Sequence, residues 1–209
     1  MKKKKSMTKK TMLISIAAVA SVLVLFIVGG ILRGGNDNSG QLSGTYYIQM
    51  DVKDYGTITA ELYADTAPIT VENFLKLVDE KFYDGLTFHR IISGFMIQGG
   101  DPLGNGTGGS EQKIKGEFSS NGVKNDLKHT RGVLSMARSS QPDSASSQFF
   151  IMHQDAPHLN GSYAAFGKVL SGMEVVDAIC ANTPVNDGNG TVSKTNQPVI
   201  ERIVRIEKP

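Results

Sequence analysis

Arg90 and Gln98 are the residues most out of keeping with their surroundings. They lie in Phe88-His89-Arg90-Ile91-Ile92-Ser93-Gly94-Phe95-Met96-Ile97-Gln98, a stretch otherwise dominated by large apolar side chains. A solvated strand would carry more charge, and a buried one would avoid arginine unless it is paired. Two readings follow. The arginine is paired with an acid inside a sheet, or the stretch lines a half-apolar groove holding one fixed cation and one amide. Such a groove suits an uncharged, partly apolar ligand that offers carbonyl oxygens. On these residues alone both readings stand.

Other constellations carry less. Gly104-Asn105-Gly106-Thr107-Gly108-Gly109 fits the G-x-G-x-x-G pattern. A dinucleotide site needs that pattern between a strand and a helix. The following Ser110 to Gly116 is polar, ends in glycine and has no helical stripe, so the run reads as a glycine-rich loop. Of the histidines at 89, 129, 153 and 158, the last two are five apart with Pro157 between them, which is not a helical ligand spacing. No cysteine or acidic cluster completes a metal site, and no Gly-x-Ser-x-Gly elbow presents a nucleophile. Cys180, alone in the chain, ends the run Val175-Val176-Asp177-Ala178-Ile179-Cys180 and reads as a small buried hydrophobe. No cofactor and no metal are expected.

The elements that must position Arg90 and Gln98 are short strands. Tyr46 to Val52 and Thr57 to Tyr63 flank a turn at Asp54-Tyr55-Gly56, and the second alternates apolar with polar residues at a period of two. A helix follows, with Thr66 as its cap and Pro68 in the first turn. Val71, Phe74, Leu75 and Val78 form one apolar stripe. Further strands are expected at Thr87 to Ile92, Phe95 to Gln98, Gly132 to Ala137, Gln148 to Met152, Ala165 to Val169 and Pro198 to Glu207, with a second helix at Gly172 to Ala181. The polar run Asn182 to Gln197 reads as a surface loop. Many short strands, two separated helices and abundant glycine turns point to a mainly β fold, an antiparallel barrel with helices over its open ends.

Charge is unevenly spread. Residues before Asn36 carry seven Lys or Arg and no acid, leaving 15 basic residues against 20 acidic ones in the rest. An acidic globular part lacks the basic face that binding nucleic acid requires. The sequence divides into a basic cytoplasmic tail (1–11), a transmembrane anchor (12–32), a flexible Gly/Asn/Ser linker (33–44) and a globular domain (45–209). Met12 to Leu32 has no charged residue. As a helix it would reach roughly 31 Å, close to a bilayer's hydrocarbon thickness. The lysines ahead of it keep that end cytoplasmic, which places the domain outside, in the manner of a single-pass protein of the cell membrane. The rival reading is a cleaved signal peptide ending near Ala18-Val19-Ala20. The apolar run continues past that point, which favours an anchor.

The globular part resembles the cyclophilin family of prolyl isomerases. The resemblance is carried, in order, by Phe88-His89-Arg90, Gly94-Phe95-Met96, Gln98-Gly99-Gly100-Asp101, Asn105-Gly106-Thr107-Gly108-Gly109, Gly132-Val133-Leu134-Ser135-Met136-Ala137, Ser147-Gln148-Phe149-Phe150-Ile151 and Phe166-Gly167-Lys168-Val169. It implies an eight-stranded closed antiparallel barrel capped by two helices. It also implies peptidyl-prolyl cis-trans isomerase activity on proline-containing, here exported, polypeptides. Arg90 takes the role of catalytic arginine, together with Phe95, Gln98 and Tyr163. Phe95, Met96, Phe150 and Leu159 form the proline pocket. Gln98, Ala137, Arg138 (through its backbone) and Gln148 hold the flanking peptide. The segment His158-Leu159-Asn160-Gly161-Ser162-Tyr163 departs from the commonest eukaryotic pattern, which has Trp at the position of His158 and His at that of Tyr163. Losing the Trp implies weak cyclosporin binding. The departures also leave an alternative, a non-catalytic module that docks proline-containing segments or acts as a chaperone at the membrane surface.

Overall fold

The computed structural model describes residues 41–209. The basic tail, the anchor and the first part of the linker lie outside the described residues. Among the described residues no helix is long and apolar enough to cross a membrane. The end of the linker is already part of the domain. Leu42 packs against the core, and Gly44 donates to the Asp65 carboxylate at 2.9 Å.

Eight strands and two helices follow: β1 (Thr45–Val52), β2 (Gly56–Tyr63), α1 (Pro68–Asp79), β3 (Phe88–Ile92), β4 (Met96–Gly99), β5 (Val133–Met136), β6 (Phe149–Met152), β7 (Ala165–Ser171), α2 (Met173–Asn182) and β8 (Ile200–Ile206). The strands form one antiparallel sheet in the order β3-β4-β6-β5-β7-β2-β1-β8. Full closure was expected, but the ladder is not continuous. The two end strands meet beside their regular runs, at the isolated bridge Thr87 with Val199 and through Phe88 N–H to Pro198 O at 3.0 Å, Gly85 N–H to Ile200 O at 2.8 Å and Ile200 N–H to Leu86 O at 2.8 Å.

The free edge of β3 is taken up instead by the segment expected as a surface loop. Ile91 N–H donates to Gly190 O at 2.8 Å and Val192 N–H to His89 O at 3.0 Å. Gly190 has φ +78°, and a Cβ there would collide with the Ile91 carbonyl, so only glycine fits. Val192 is buried, which a solvated loop would not provide.

The helix α1 buries Val71, Phe74, Leu75 and Val78, as its stripe dictates. Its cap is not Thr66. Ala67 occupies the N-cap with no side-chain bond, and the buried Glu117 carboxylate accepts Ile69 N–H at 3.1 Å, Thr70 N–H at 2.8 Å and the Thr70 hydroxyl at 2.6 Å. An anion from a distant loop thus satisfies the helix's orphan donors.

Two apolar clusters coexist. The larger one fills the barrel and takes in Phe74, Phe88, Phe149, Phe166 and the inward faces of both helices. The smaller is built from Met96, Val133, Phe150, Met152, Ala156, Leu159 and Ala165. β5 and β6 are buried along their whole length because they serve both. Leu134, Met136, Phe149 and Ile151 face the barrel cluster, while Val133, Phe150 and Met152 face the other, as strand alternation requires.

Candidate functional site

The second cluster underlies the site. Strand register sets its core: Arg90 faces Gln98 across β3 and β4, and Gln98 faces Phe150 across β4 and β6. Alternation then carries Met96, two residues before Gln98, to the same side. A cavity of about 230 Å³ opens there, lined by Arg90, Phe95, Met96, Gln98, Ala137, Arg138, Phe150, Leu159 and Tyr163. Nine of the eleven residues expected from sequence are therefore brought together.

The other two lie elsewhere. Gln148 lines a neighbouring cavity of about 390 Å³, together with Gly106 to Ser110, Lys113, Ser139, Ser144 and Ser146. Gln98, Ala137 and Arg138 border both cavities. His158 is exposed and sits outside the cavity, its ring 5.6 Å from that of Phe95 and tilted by 30°. A short 3-10 turn, Pro157–Leu159, buries Leu159 and leaves His158 exposed.

Arg90 has no carboxylate partner among the described residues, which removes the reading of an internally paired arginine. Its Nε donates to Asn189 O at 2.9 Å and its Nη1 to Gln98 Oε1 at 3.3 Å. The relay continues from Gln98 Nε2 to Gln148 Oε1 at 2.9 Å and from Gln148 Nε2 to Gly108 O at 2.7 Å. The guanidinium is thus aimed by neutral acceptors, and among the described residues Nη2 has no hydrogen-bond partner. Sequence reasoning passed over Asn189 because its contribution is a main-chain carbonyl, which any residue type supplies.

The glycine-rich loop is folded around an acid, not open to one. The buried Asp101 carboxylate accepts N–H groups of Leu103 at 2.8 Å, Asn105 at 3.1 Å and Gly106 at 2.6 Å. Burial pushes this carboxyl up, but the backbone donors of Leu103, Asn105, Gly106 and Gly108 outweigh it and hold the group below its usual range. The loop amides that a phosphate would need are already spent on Asp101, so the dinucleotide reading falls.

Two supports of the aromatic wall were not foreseen. His129 is buried, stacks on Phe150 with centroids 6.0 Å apart, and touches Ser135 Oγ at 3.0 Å and Asn160 Oδ1 at 3.2 Å. Asn160 Oδ1 can only accept, so Nδ1 carries the proton and Nε2 accepts from Ser135. Burial, more than any other influence, pushes the His129 pKa down and keeps it neutral. Arg138 binds Ser162 O through Nε at 3.1 Å and Nη2 at 2.8 Å, so its side chain, and not only its backbone, builds the wall. Cys180 is half-buried with its thiol pushed up to about 11, chiefly by burial, which fits an inert side chain.

A cavity with a fixed, unpaired guanidinium on one side and Phe95, Met96, Phe150 and Leu159 on the other can hold a small apolar ring beside a polarised amide. Comparison with known proteins agrees. Residues 47–208 match the model of the family described as cyclophilin type peptidyl-prolyl cis-trans isomerase/CLD. The chain is 48% identical over 143 residues to peptidyl-prolyl cis-trans isomerase B of Bacillus subtilis, covering 68% of this chain and 91% of that protein. It is 41% identical over 185 residues to a peptidyl-prolyl cis-trans isomerase of Acinetobacter baylyi, covering 84% and 90%. Among solved structures, a cyclophilin type isomerase of Cryptosporidium parvum, crystallised in the presence of the dipeptide Ala-Pro, superposes with a TM-score of 0.68 at 34% identity, over 78% of this chain and 99% of that one.

Proposed function

The chain belongs to the cyclophilin-type peptidyl-prolyl cis-trans isomerase family and is a peptidyl-prolyl cis-trans isomerase; we propose that Arg90 supplies its catalysis and that proline docks against Phe95, Met96, Phe150 and Leu159. A peptide bond resists rotation by about 18–20 kcal/mol because its C–N bond has partial double-bond character. During rotation the proline nitrogen loses conjugation and gains a lone pair able to accept a hydrogen bond. A guanidinium aimed at that nitrogen stabilises the twisted amide more than either planar isomer, and this difference lowers the barrier. Each tenfold acceleration needs about 1.4 kcal/mol.

The observation that carries this reading is the state of Arg90: beside a largely apolar wall, fixed through Nε and Nη1 by neutral acceptors, with no carboxylate partner among the described residues. Gln98 steadies the guanidinium and, with Ala137, Arg138 and Gln148, lies where a flanking peptide would run. Arg90→Ala is expected to leave the fold intact and to slow isomerisation of a proline peptide at least roughly tenfold. Normal turnover in the folded variant would overturn the assignment.

The protein is further proposed to be a bacterial, membrane-anchored form acting on exported proteins. The support is the uncharged run Met12 to Leu32 behind six lysines. Protease added to intact cells would release the domain if it faces outward. Cyclosporin binding is proposed to be weak, since His158 offers less apolar surface than Trp and sits outside the cavity.

A further inference from the structure

We infer that His153 is a positioning residue for the isomerase site: as a neutral imidazole it clamps the turn that presents Phe95, and it releases that turn when it is protonated. The inference rests on the proposed role of Phe95 in the proline pocket.

The turn between β3 and β4 is closed by Phe95 N–H to Ile92 O at 3.0 Å, with Gly94 at φ +80° in its third position. Its outward-facing amide is satisfied from another strand: Gly94 N–H donates to His153 Nδ1 at 2.8 Å. The same residue returns a bond through its main chain, His153 N–H to Phe95 O at 2.9 Å. His153 therefore grips the turn at two successive residues, one of which is a wall of the cavity.

An Nδ1 that accepts cannot also carry a proton, so the proton is on Nε2. Nε2 lies 3.1 Å from Asp177 Oδ1 on α2, but off the line of a hydrogen bond, and that oxygen has no hydrogen-bond partner. Arg131 holds the other oxygen of Asp177 at 2.7 Å and the His153 carbonyl at 2.7 Å. The other titratable groups around this cluster are Asp155, which accepts Arg131 N–H, Cys180, one helical turn beyond Asp177, and His158, whose ring lies 5.6 Å from that of Phe95.

Protonation turns the Gly94 contact from a bond into two opposed donors. The same charge is drawn towards the unsatisfied oxygen of Asp177. Both effects act in one direction, away from the turn.

Asparagine separates this role from a merely structural one. Its Oδ1 sits near the place of Nδ1, accepts from Gly94 and does not titrate. The test measures kcat/KM of the full chain on a proline-containing peptide from about pH 8 to about pH 5.5. Wild type, His153→Asn, His153→Ala and Arg90→Ala are compared. Wild type is expected to lose activity roughly fivefold on acidification, the value of one hydrogen bond. His153→Asn should stay near the wild-type value at the alkaline end and remain level. His153→Ala should be lowered throughout; if it fails to fold, the asparagine variant alone decides. An acid loss in His153→Asn equal to that of wild type overturns the inference, as does undiminished activity of folded His153→Ala. Those results leave the isomerase reading standing so long as Arg90→Ala is impaired. An Arg90→Ala variant as active as wild type would instead sink the proposed site and this inference together.

Discussion

The guanidinium carbon of Arg138 lies 4.7 Å from the centre of the Tyr163 ring and 5.0 Å from that of Phe118. Clamped between two aromatic faces, the group also spends Nε and Nη2 on the carbonyl of Ser162, the residue beside Tyr163. Tyr163 closes the cavity at this wall, edge-on to Phe150 with centroids 5.9 Å apart. Its orientation is therefore set by a planar cation that reads a carbonyl and two rings at once, which a lysine cannot reproduce.

Both Arg138→Ala and Arg138→Lys are accordingly expected to raise KM for a proline peptide. Each loses the forked bond to Ser162 and most of the stacking, so the rise should be about tenfold. The effect on kcat should be smaller, because Arg90 and its tethers are untouched. Steady-state kinetics of the two variants decide this, and a lysine variant with wild-type KM would show that charge alone suffices.

Gln148 gives a second expectation. It lies outside the proline cavity yet completes the relay that fixes Gln98, and through it Arg90. Gln148→Leu leaves Gln98 Nε2 and Gly108 O without partners, and kcat/KM should fall roughly tenfold. Gln148→Glu still accepts from Gln98 but cannot donate to Gly108 and should fall in between. Equal rates for wild type and the leucine variant would mean that the relay does not aim Arg90.

What was legible in the sequence was what depends on near neighbours. The stripe of α1 and the alternation in β2 follow from local periodicity, and the run from Phe88 to Gln98 stands out by its misplaced arginine and glutamine, which by themselves left a paired arginine and a binding groove both open. What was not legible depends on contacts distant in sequence. Thr66 is a good cap by type, but Glu117 is delivered to the helix end by tertiary folding. The segment around Gly190 is polar enough to pass for solvated loop, yet its main chain pairs with β3, and main-chain bonding is blind to side-chain polarity. His158 matched a position of the site by order in the chain, while the 3-10 turn around it leaves the residue exposed and outside the cavity lining. The need for His129 and Arg138 as supports arises only once Phe150 and Tyr163 are seen to require holding.

Glu117 should matter for stability and not for turnover. Its carboxylate is buried and serves three donors at the start of α1. Glu117→Ala strands them, at a cost of about 2–4 kcal/mol. For a domain of this size that lowers the melting temperature by about 5–15 °C. Glu117→Gln keeps one accepting oxygen and should lie between the two. At temperatures where both variants remain folded, isomerisation should be unchanged, because α1 packs on the barrel cluster and not on the cavity.

Acid should weaken the fold in two stages. His89 and His129 are both buried, and burial pushes both below the ordinary value of 6.5. The unfolded chain therefore takes up protons that the folded one refuses, and stability rises with pH wherever that difference exists. The contribution is complete above the ordinary histidine value and is lost as pH falls from there through the depressed folded values. Asp101 acts lower on the scale. The backbone donors of its loop hold it below 3.8 against the opposing effect of burial, so its contribution survives the histidine stage and is lost only as pH falls below that value. Melting temperature measured from pH 8 downward should be level at first, decline once pH passes below the ordinary histidine value, and decline again below that of aspartate. Calorimetry in buffers of different ionisation enthalpy should register net proton uptake on unfolding in the first of these windows. A melting temperature that stays level through the histidine window, with no proton uptake, would show that His89 and His129 titrate alike in both states.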